Sequence, residues 1–150
     1  MQYWLMKSEP GDYAIGDLAR DKAEWWTGVR NFQARNFMMK MQKGDGVLFY
    51  HSSCKVPGVY GVATIGKTAA ADQTQFDATS NYYDGAASAE KPRWFCPQLA
   101  FVREHKTPWT LAAIRAHPQL AKMIILRRGN RLSVTPVSAG EWKLLSAPPK

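Results

Sequence analysis

Acidic side chains are what this sequence is short of. Against 20 Lys plus Arg it carries 12 Asp plus Glu, a formal charge of +8 at pH 7 over 150 residues. Cysteine is nearly absent as well. Cys54 and Cys96 alone build no disulfide framework and no Cys-x-x-Cys zinc pair, which fits a reduced, cytoplasmic setting. His51, His105 and His117 lack metal-ligand spacing, and no carboxylate pair stands out for acid–base work. No metal, cofactor or catalytic residue is therefore expected, and the chain does not read as an enzyme. No apolar run approaches the roughly 20 residues that span a bilayer, and the Met1 end has no basic-then-apolar signal pattern, so no membrane partner is expected. No repeat, low-complexity tract or linker divides the chain. Its length suits one domain over residues 1–150, burying roughly 70% of the surface that the unfolded chain exposes.

What is present is a core and an uneven charge. A hydrophobic fraction of 45% with 6 Trp, 6 Tyr and 6 Phe excludes a disordered chain. Between Lys91 and Arg131 lie nine basic residues, Arg127, Arg128 and Arg131 among them, with Glu104 the one acid after Lys91. Such a surplus suits a polyanion such as nucleic acid, because each neutralised phosphate releases counterions. A solvated basic surface gives the same count.

Tyr3–Lys7 is apolar on both faces and reads as a buried strand, ended by turn chemistry at Ser8-Glu9-Pro10-Gly11-Asp12. A short helix is expected over Ile15–Asp21, although Ala14 offers no capping oxygen. The next helix is better marked. Asn31 is an N-cap, and Ala34, Phe37, Met38 and Met41 recur at i, i+3, i+4, i+7. Val47–Ser52 and Gly58–Ile65 read as neighbouring strands, and Trp94–Val102 as a long one. Ala69–Pro92 is polar and aperiodic, an excursion loop whose Tyr82-Tyr83 argues for docking. Thr110 caps a helix that Pro118 closes, and Met123–Leu126 and Leu132–Val134 read as the last strands. Ser138 and Glu141 form a capping box on the final helix, with Val137 able to staple onto Trp142. The pattern is α+β, a small mixed β-barrel with flanking helices.

The segment Gly61-Val62-Ala63-Thr64-Ile65-Gly66-Lys67-Thr68 satisfies the phosphate-loop pattern, the basis of an alternative reading as a small nucleotide-binding or hydrolytic enzyme. Its interior residues prefer a strand, whereas a phosphate loop needs a turn whose successive N–H groups wrap the anion. His51-Ser52-Ser53-Cys54 groups a base with nucleophiles, but adjacent strand residues point to opposite faces.

Aromatic and amide groups beside basic ones are more telling. Trp25-Trp26-Thr27-Gly28 leads into Arg30-Asn31 at a helix start. A Trp face stacks on a base for roughly 1–3 kcal/mol, and Asn can read a base edge. One tryptophan can equally be core with the other covering it.

Tyr3-Trp4-Leu5-Met6-Lys7-Ser8-Glu9-Pro10 and the run from Trp26 to Met38, with its Gly28-Val29-Arg30-Asn31 and Gln33-Ala34-Arg35-Asn36, resemble the EVE domain of the PUA-like group. So do Phe49-Tyr50-His51-Ser52, Tyr82-Tyr83-Asp84, Arg128–Val137 and Glu141-Trp142. The match is to the stand-alone bacterial form, whose eukaryotic relatives are the thymocyte nuclear proteins. This resemblance implies a PUA-like barrel with flanking helices and a non-enzymatic reader of modified bases, modified cytosine in DNA first and a modified RNA base second. By similarity to the YTH cousins, Lys7-Ser8 ends the first strand, and Trp26-Thr27 opens the base cage. Trp26 would stack on the base while Trp25 packs. Asn31, Ser8 and the strand end Tyr50, His51 and Ser52 would bond the base edge. Lys7, Arg30 and Arg35 would hold phosphate or an electron-rich ring, and Tyr82 is offered as a second wall from its loop alone. Arg127, Arg128 and Arg131 would contact phosphates. Ala78 and Asn81 stand where relatives often carry proline, so a looser loop is expected. A monomer bound to nucleic acid is the expected form. An interaction module for a protein partner is a third reading.

Overall fold

The computed structural model describes residues 1–149. Its centre is a six-stranded mixed sheet in the order β2-β5-β4-β3-β1-β6. The strands are β1 (Tyr3–Ser8), β2 (Ala23–Trp25), β3 (Gly46–His51), β4 (Gly58–Ala71), β5 (Phe95–Thr110) and β6 (Val134–Val137). The helices are α1 (Ile15–Asp21), α2 (Phe32–Lys40), α3 (Leu111–Ala116) and α4 (Ala139–Leu145).

β1 runs parallel to β3, with Lys7 opposite Tyr50 and Ser8 opposite His51. Alternation along these two central strands explains why both read as continuously apolar. Trp4, Met6, Val47 and Phe49 face one core with Ile15, Leu18, Ala34 and Met38 of α1 and α2. Leu5, Leu48 and Tyr50 face the other, with Ile114 of α3 and Leu145 of α4.

The α+β expectation holds, with one difference: the sheet is not closed. β2 and β6 are its two edges, so it does not close into a barrel. The β4–β5 ribbon carries four register shifts, and each bulge adds bend and twist. β4 and β5 also run well past Ile65 and Val102, so the excursion begins at Asp72 rather than Ala69. Met123–Leu126 is not a strand. Ile124–Leu126 forms a single 3₁₀ turn, closed by bonds from the Leu126 and Arg127 N–H groups to Met123 and Ile124 carbonyls. A four-residue apolar run fits either state by period, and β6 already occupies the edge beside β1. β6 starts at Val134 because the Leu132 N–H is turned onto Asn130 Oδ1 at 2.9 Å.

Local signals are met where they were strongest. The side chains of Asn31, Thr110 and Ser138 accept the Ala34, Ala113 and Glu141 N–H groups. Trp142, which the residue pattern offered to Val137, has its ring stacked on the distant Tyr3 instead, ring centres 4.8 Å apart. The missing cap at Ala14 is supplied from elsewhere. Asp17 accepts the Ala14 N–H at 2.8 Å, and Nε2 of His51 accepts the Ile15 N–H at 3.1 Å.

Gly61–Thr68 lies wholly inside β4, and the first glycine of the pattern serves close packing. A Cβ there would sit 2.6 Å from the Arg103 carbonyl oxygen and 2.7 Å from Ile15. No wrapping turn exists for a phosphate. Lys67→Ala, an exposed strand residue, is therefore expected to change stability by less than about 0.5 kcal/mol. Chemical denaturation and ATP or GTP titration check this. Magnesium-dependent nucleotide binding that disappears in the variant would contradict it.

Candidate nucleic-acid interface

A cleft of about 770 Å³ opens where the end of β1, the turn before α1 and the Trp25–Asn31 segment meet the tip of the excursion. Its walls include Lys7, Ser8, Tyr13, Trp25, Trp26, Thr27, Gly28, Arg30, Asn31, Tyr82 and Ser133. Seven of the residues expected at the base are thus brought together: Lys7, Ser8, Trp26, Thr27, Arg30, Asn31 and Tyr82.

The tryptophan pair is arranged differently from the expectation. Trp26 is 7% exposed, its ring edge-on to Phe49 at 5.4 Å and to Tyr13 at 6.5 Å between centres. It is the wall that belongs to the core. Trp25, on the edge strand β2, is half-buried and packs on that core from outside. Both line the cleft, but Trp25 is the more open of the two.

Arg30 does not offer itself to phosphate. Its Nε and one terminal nitrogen donate to the Tyr82 carbonyl at 3.0 and 2.7 Å, and that nitrogen also reaches Thr74 Oγ1 at 2.9 Å. The other donates to the Val29 carbonyl and to Asp72 Oδ2. All five guanidinium N–H donors are occupied. Arg35 lies outside the cleft. It donates to the Arg93 carbonyl at 2.8 Å and to Asn36, and crosses the Phe32 ring at 4.8 Å.

The strand end Tyr50–Ser52 is also off the cleft. Tyr50 belongs to the opposite core. His51 is buried, stacked on Tyr60 at 4.0 Å, and burial pushes its pKa down. The neutral ring is what the Ile15 N–H requires as an acceptor. Ser52 continues the pairing with β1 through its N–H to the Ser8 carbonyl. The resemblance had grouped these three with Ser8 as a strand end that bonds the base edge, but strand alternation and helix capping use them otherwise.

Lys7 is the cation left free. It enters no ion pair among the described residues, its ammonium lies 5.7 Å from the Tyr50 ring centre, and burial lowers its pKa. Ser8 donates to the Tyr13 carbonyl at 2.7 Å, which fixes the turn. Asn31 spends its oxygen on the α2 cap. Glu9, Asp12 and Glu24 stand along the same cleft, acids that the residue pattern did not single out although Glu9 follows Ser8 directly and Asp12 ends the same turn. Ser133 closes the far side, its carbonyl accepting the Lys7 N–H at 2.8 Å. It lies two residues past the exposed Arg131, in the loop that also exposes Arg127 and Arg128.

The excursion is firmly tied, without the prolines. Gln75 is fully buried; its amide donates to the Asp72 and Trp94 carbonyls and its oxygen accepts the Arg93 and Trp94 N–H groups. Asp77 accepts from Thr79, and Trp94 Nε1 donates to Asp84 at 2.8 Å. Asp72, 2% exposed, anchors the base of the loop. Burial pushes its carboxyl up, but hydrogen bonds from Thr74, the Gly28 N–H and Arg30 outweigh this, and its pKa ends below the ordinary carboxylate range.

The sign of the linkage follows. Asp72 contributes stability that is complete above its unfolded pKa of about 3.9 and is lost as pH falls through the folded value. Urea denaturation across this acid range is expected to show a shallower pH slope for Asp72→Asn than for the native chain. Equal slopes would show that the carboxylate is not held as described.

The EVE domain profile matches residues 2–147. Human thymocyte nuclear protein 1 is 36% identical over 93% of this chain and 70% of its own length. The chain spans between 65% and 71% of the vertebrate proteins of that name. Among solved structures, a Pseudomonas syringae protein superposes with a TM-score of 0.91 at 45% identity, covering 94% of this chain and 95% of that one. Human THYN1 protein in complex with 5-methylcytosine-containing DNA gives 0.90 at 34% identity, covering 95% and 94%. With the family profile spanning residues 2–147 and the fold shared with these relatives, the chain belongs to the EVE domain family.

Proposed function

We propose that this protein is a non-enzymatic nucleic-acid-binding module that takes a modified base, 5-methylcytosine in DNA before a modified RNA base, into the cleft between Trp25-Trp26 and Tyr82. The observation that carries the reading is the cleft itself. Aromatic walls from two distant segments meet there beside a free cation, Lys7, and the Thr27 hydroxyl. The 34% identical human THYN1 protein was solved with DNA carrying that base.

A base extruded from a duplex would stack on the indole wall and on Tyr82, while Lys7 or the Asn31 amide meets its edge. Glu9, Asp12 or Glu24 can accept from the exocyclic amine of cytosine, a pairing that carboxylates make with this base. The methyl group adds apolar contact worth about 0.8 kcal/mol if fully buried, roughly a fourfold preference. Arg127, Arg128 and Arg131, beyond Ser133, would hold the backbone, positioning the duplex without reading it. Arg30 and Arg35 act on the protein side, one tying the excursion and the other bracing α2 against Arg93.

An array of oligonucleotides, single- and double-stranded, with cytosine, 5-methylcytosine and other modified bases in DNA and RNA, tests this. Preferential binding of the methylated DNA is expected. Uniform affinity across the array, or turnover of any member, would count against it.

A further inference from the structure

Resting on that reading, we propose that Asp72 and Arg30 are the positioning residues for the second wall of the cleft. The pair spans 42 residues of sequence and is buried on the Asp72 side. One oxygen of Asp72 serves the base of the excursion, accepting from the N–H and hydroxyl of Thr74. The other crosses to the cleft segment, accepting the Gly28 N–H at 2.8 Å and an Arg30 N–H at 3.1 Å. Arg30 then carries the tie to the tip, where its two bonds to the Tyr82 carbonyl fix that residue's backbone. Its guanidinium lies 5.6 Å from the Tyr82 ring centre and 5.3 Å from that of Trp94.

The far end of the device is Gly28. At φ +91° it takes a conformation that L side chains rarely adopt, and a Cβ there would lie 2.8 Å from the Tyr82 ring. The ring therefore lies directly on the Gly28 backbone, and the bare glycine makes room for it. Tyr82 is 43% exposed, so burial of its own ring does not hold it. Its place is set by the ion pair beneath it. Asp72 and Arg30 act on the bound base only through Tyr82.

Asp72→Asn is the selective test in the full chain. It keeps the size of the side chain and one oxygen. In either orientation, however, the neutral amide removes the ion pair with Arg30, and one orientation also sets its NH2 against the Gly28 and Arg30 donors. Three results are expected. Amide exchange over residues 77–91 speeds up by roughly tenfold or more, with no nucleic acid present. Affinity for the 5-methylcytosine oligonucleotide falls by roughly 5- to 150-fold, as for Tyr82→Ala, the loss of one stacking partner. The double variant Asp72→Asn with Tyr82→Ala loses no more than either alone, because both remove the same wall.

Losses that multiply in the double variant, or unchanged exchange at the tip, would overturn the proposal. Arg30→Lys repeats the test should Asp72→Asn fail to fold. A lysine keeps a charge near Asp72 but cannot span the Tyr82 carbonyl and Thr74 together, so the same exchange and affinity changes are expected. Exchange in the free protein judges the positioning role alone. Absence of binding by the native chain to every oligonucleotide would refute the function proposed above.

Discussion

Trp26→Ala is expected to cost the fold about 3–5 kcal/mol, the range for truncating a buried tryptophan. The ring seals the first core against Phe49 and Tyr13, and alanine would leave a cavity that the flanking strands cannot close. Trp25→Ala, on the half-buried edge strand, is expected to cost clearly less stability. It should instead weaken binding of the methylated oligonucleotide by roughly 5- to 150-fold. This inverts what the residue pattern alone suggested, where Trp26 was the open wall. Because Trp26→Ala disturbs both packing and cleft, Trp26→Phe is the cleaner probe of its contact with the base. Denaturant midpoints for the two alanine variants decide the matter: equal stability losses would show that Trp26 is not the core member of the pair.

The second large effect is electrostatic. If Arg127, Arg128 and Arg131 each neutralise one phosphate, the logarithm of the binding constant should fall against the logarithm of salt with a slope near −2.7 from these three alone. Raising salt from 50 to 200 mM then costs about 40-fold in affinity. Replacing all three by alanine should flatten the slope by that amount and leave the ratio of methylated to unmethylated binding unchanged, since backbone contacts carry no base information. A slope that is the same in the triple variant would show that this loop is only solvated surface.

What the sequence made legible was local. Asn31, Thr110 and the Ser138–Glu141 box announce helix starts because cap and amide lie within three residues of each other. The two-faced apolarity of Tyr3–Lys7 announced a central strand for the same reason. Long-range pairings were not legible. Nothing near Arg30 in the chain says that its donors are taken by Asp72, Thr74 and Tyr82, 42 to 52 residues on, so a basic residue beside the cleft read as a phosphate ligand. His51 likewise read as a site residue because its partner, the Ile15 N–H, lies 36 residues away. The far reach of β4 and β5 was hidden by polar residues such as Lys67 and Thr68 on an exposed ribbon, where a strand needs no apolar face. Tyr82 was placed in the cleft by the cost of exposing paired aromatics, and the contact that seats it, Gly28 at positive φ, stood in the sequence unread.

Binding of one duplex sequence carrying either cytosine or 5-methylcytosine at a single position, measured at fixed moderate salt, bears most directly on the cleft as a base reader. The proposed function predicts tighter binding of the methylated duplex by up to roughly fourfold, with the difference abolished in Tyr82→Ala and Trp25→Ala while salt-dependent binding persists. Equal affinity for the two duplexes, or a preference that survives loss of both aromatic walls, would contradict it.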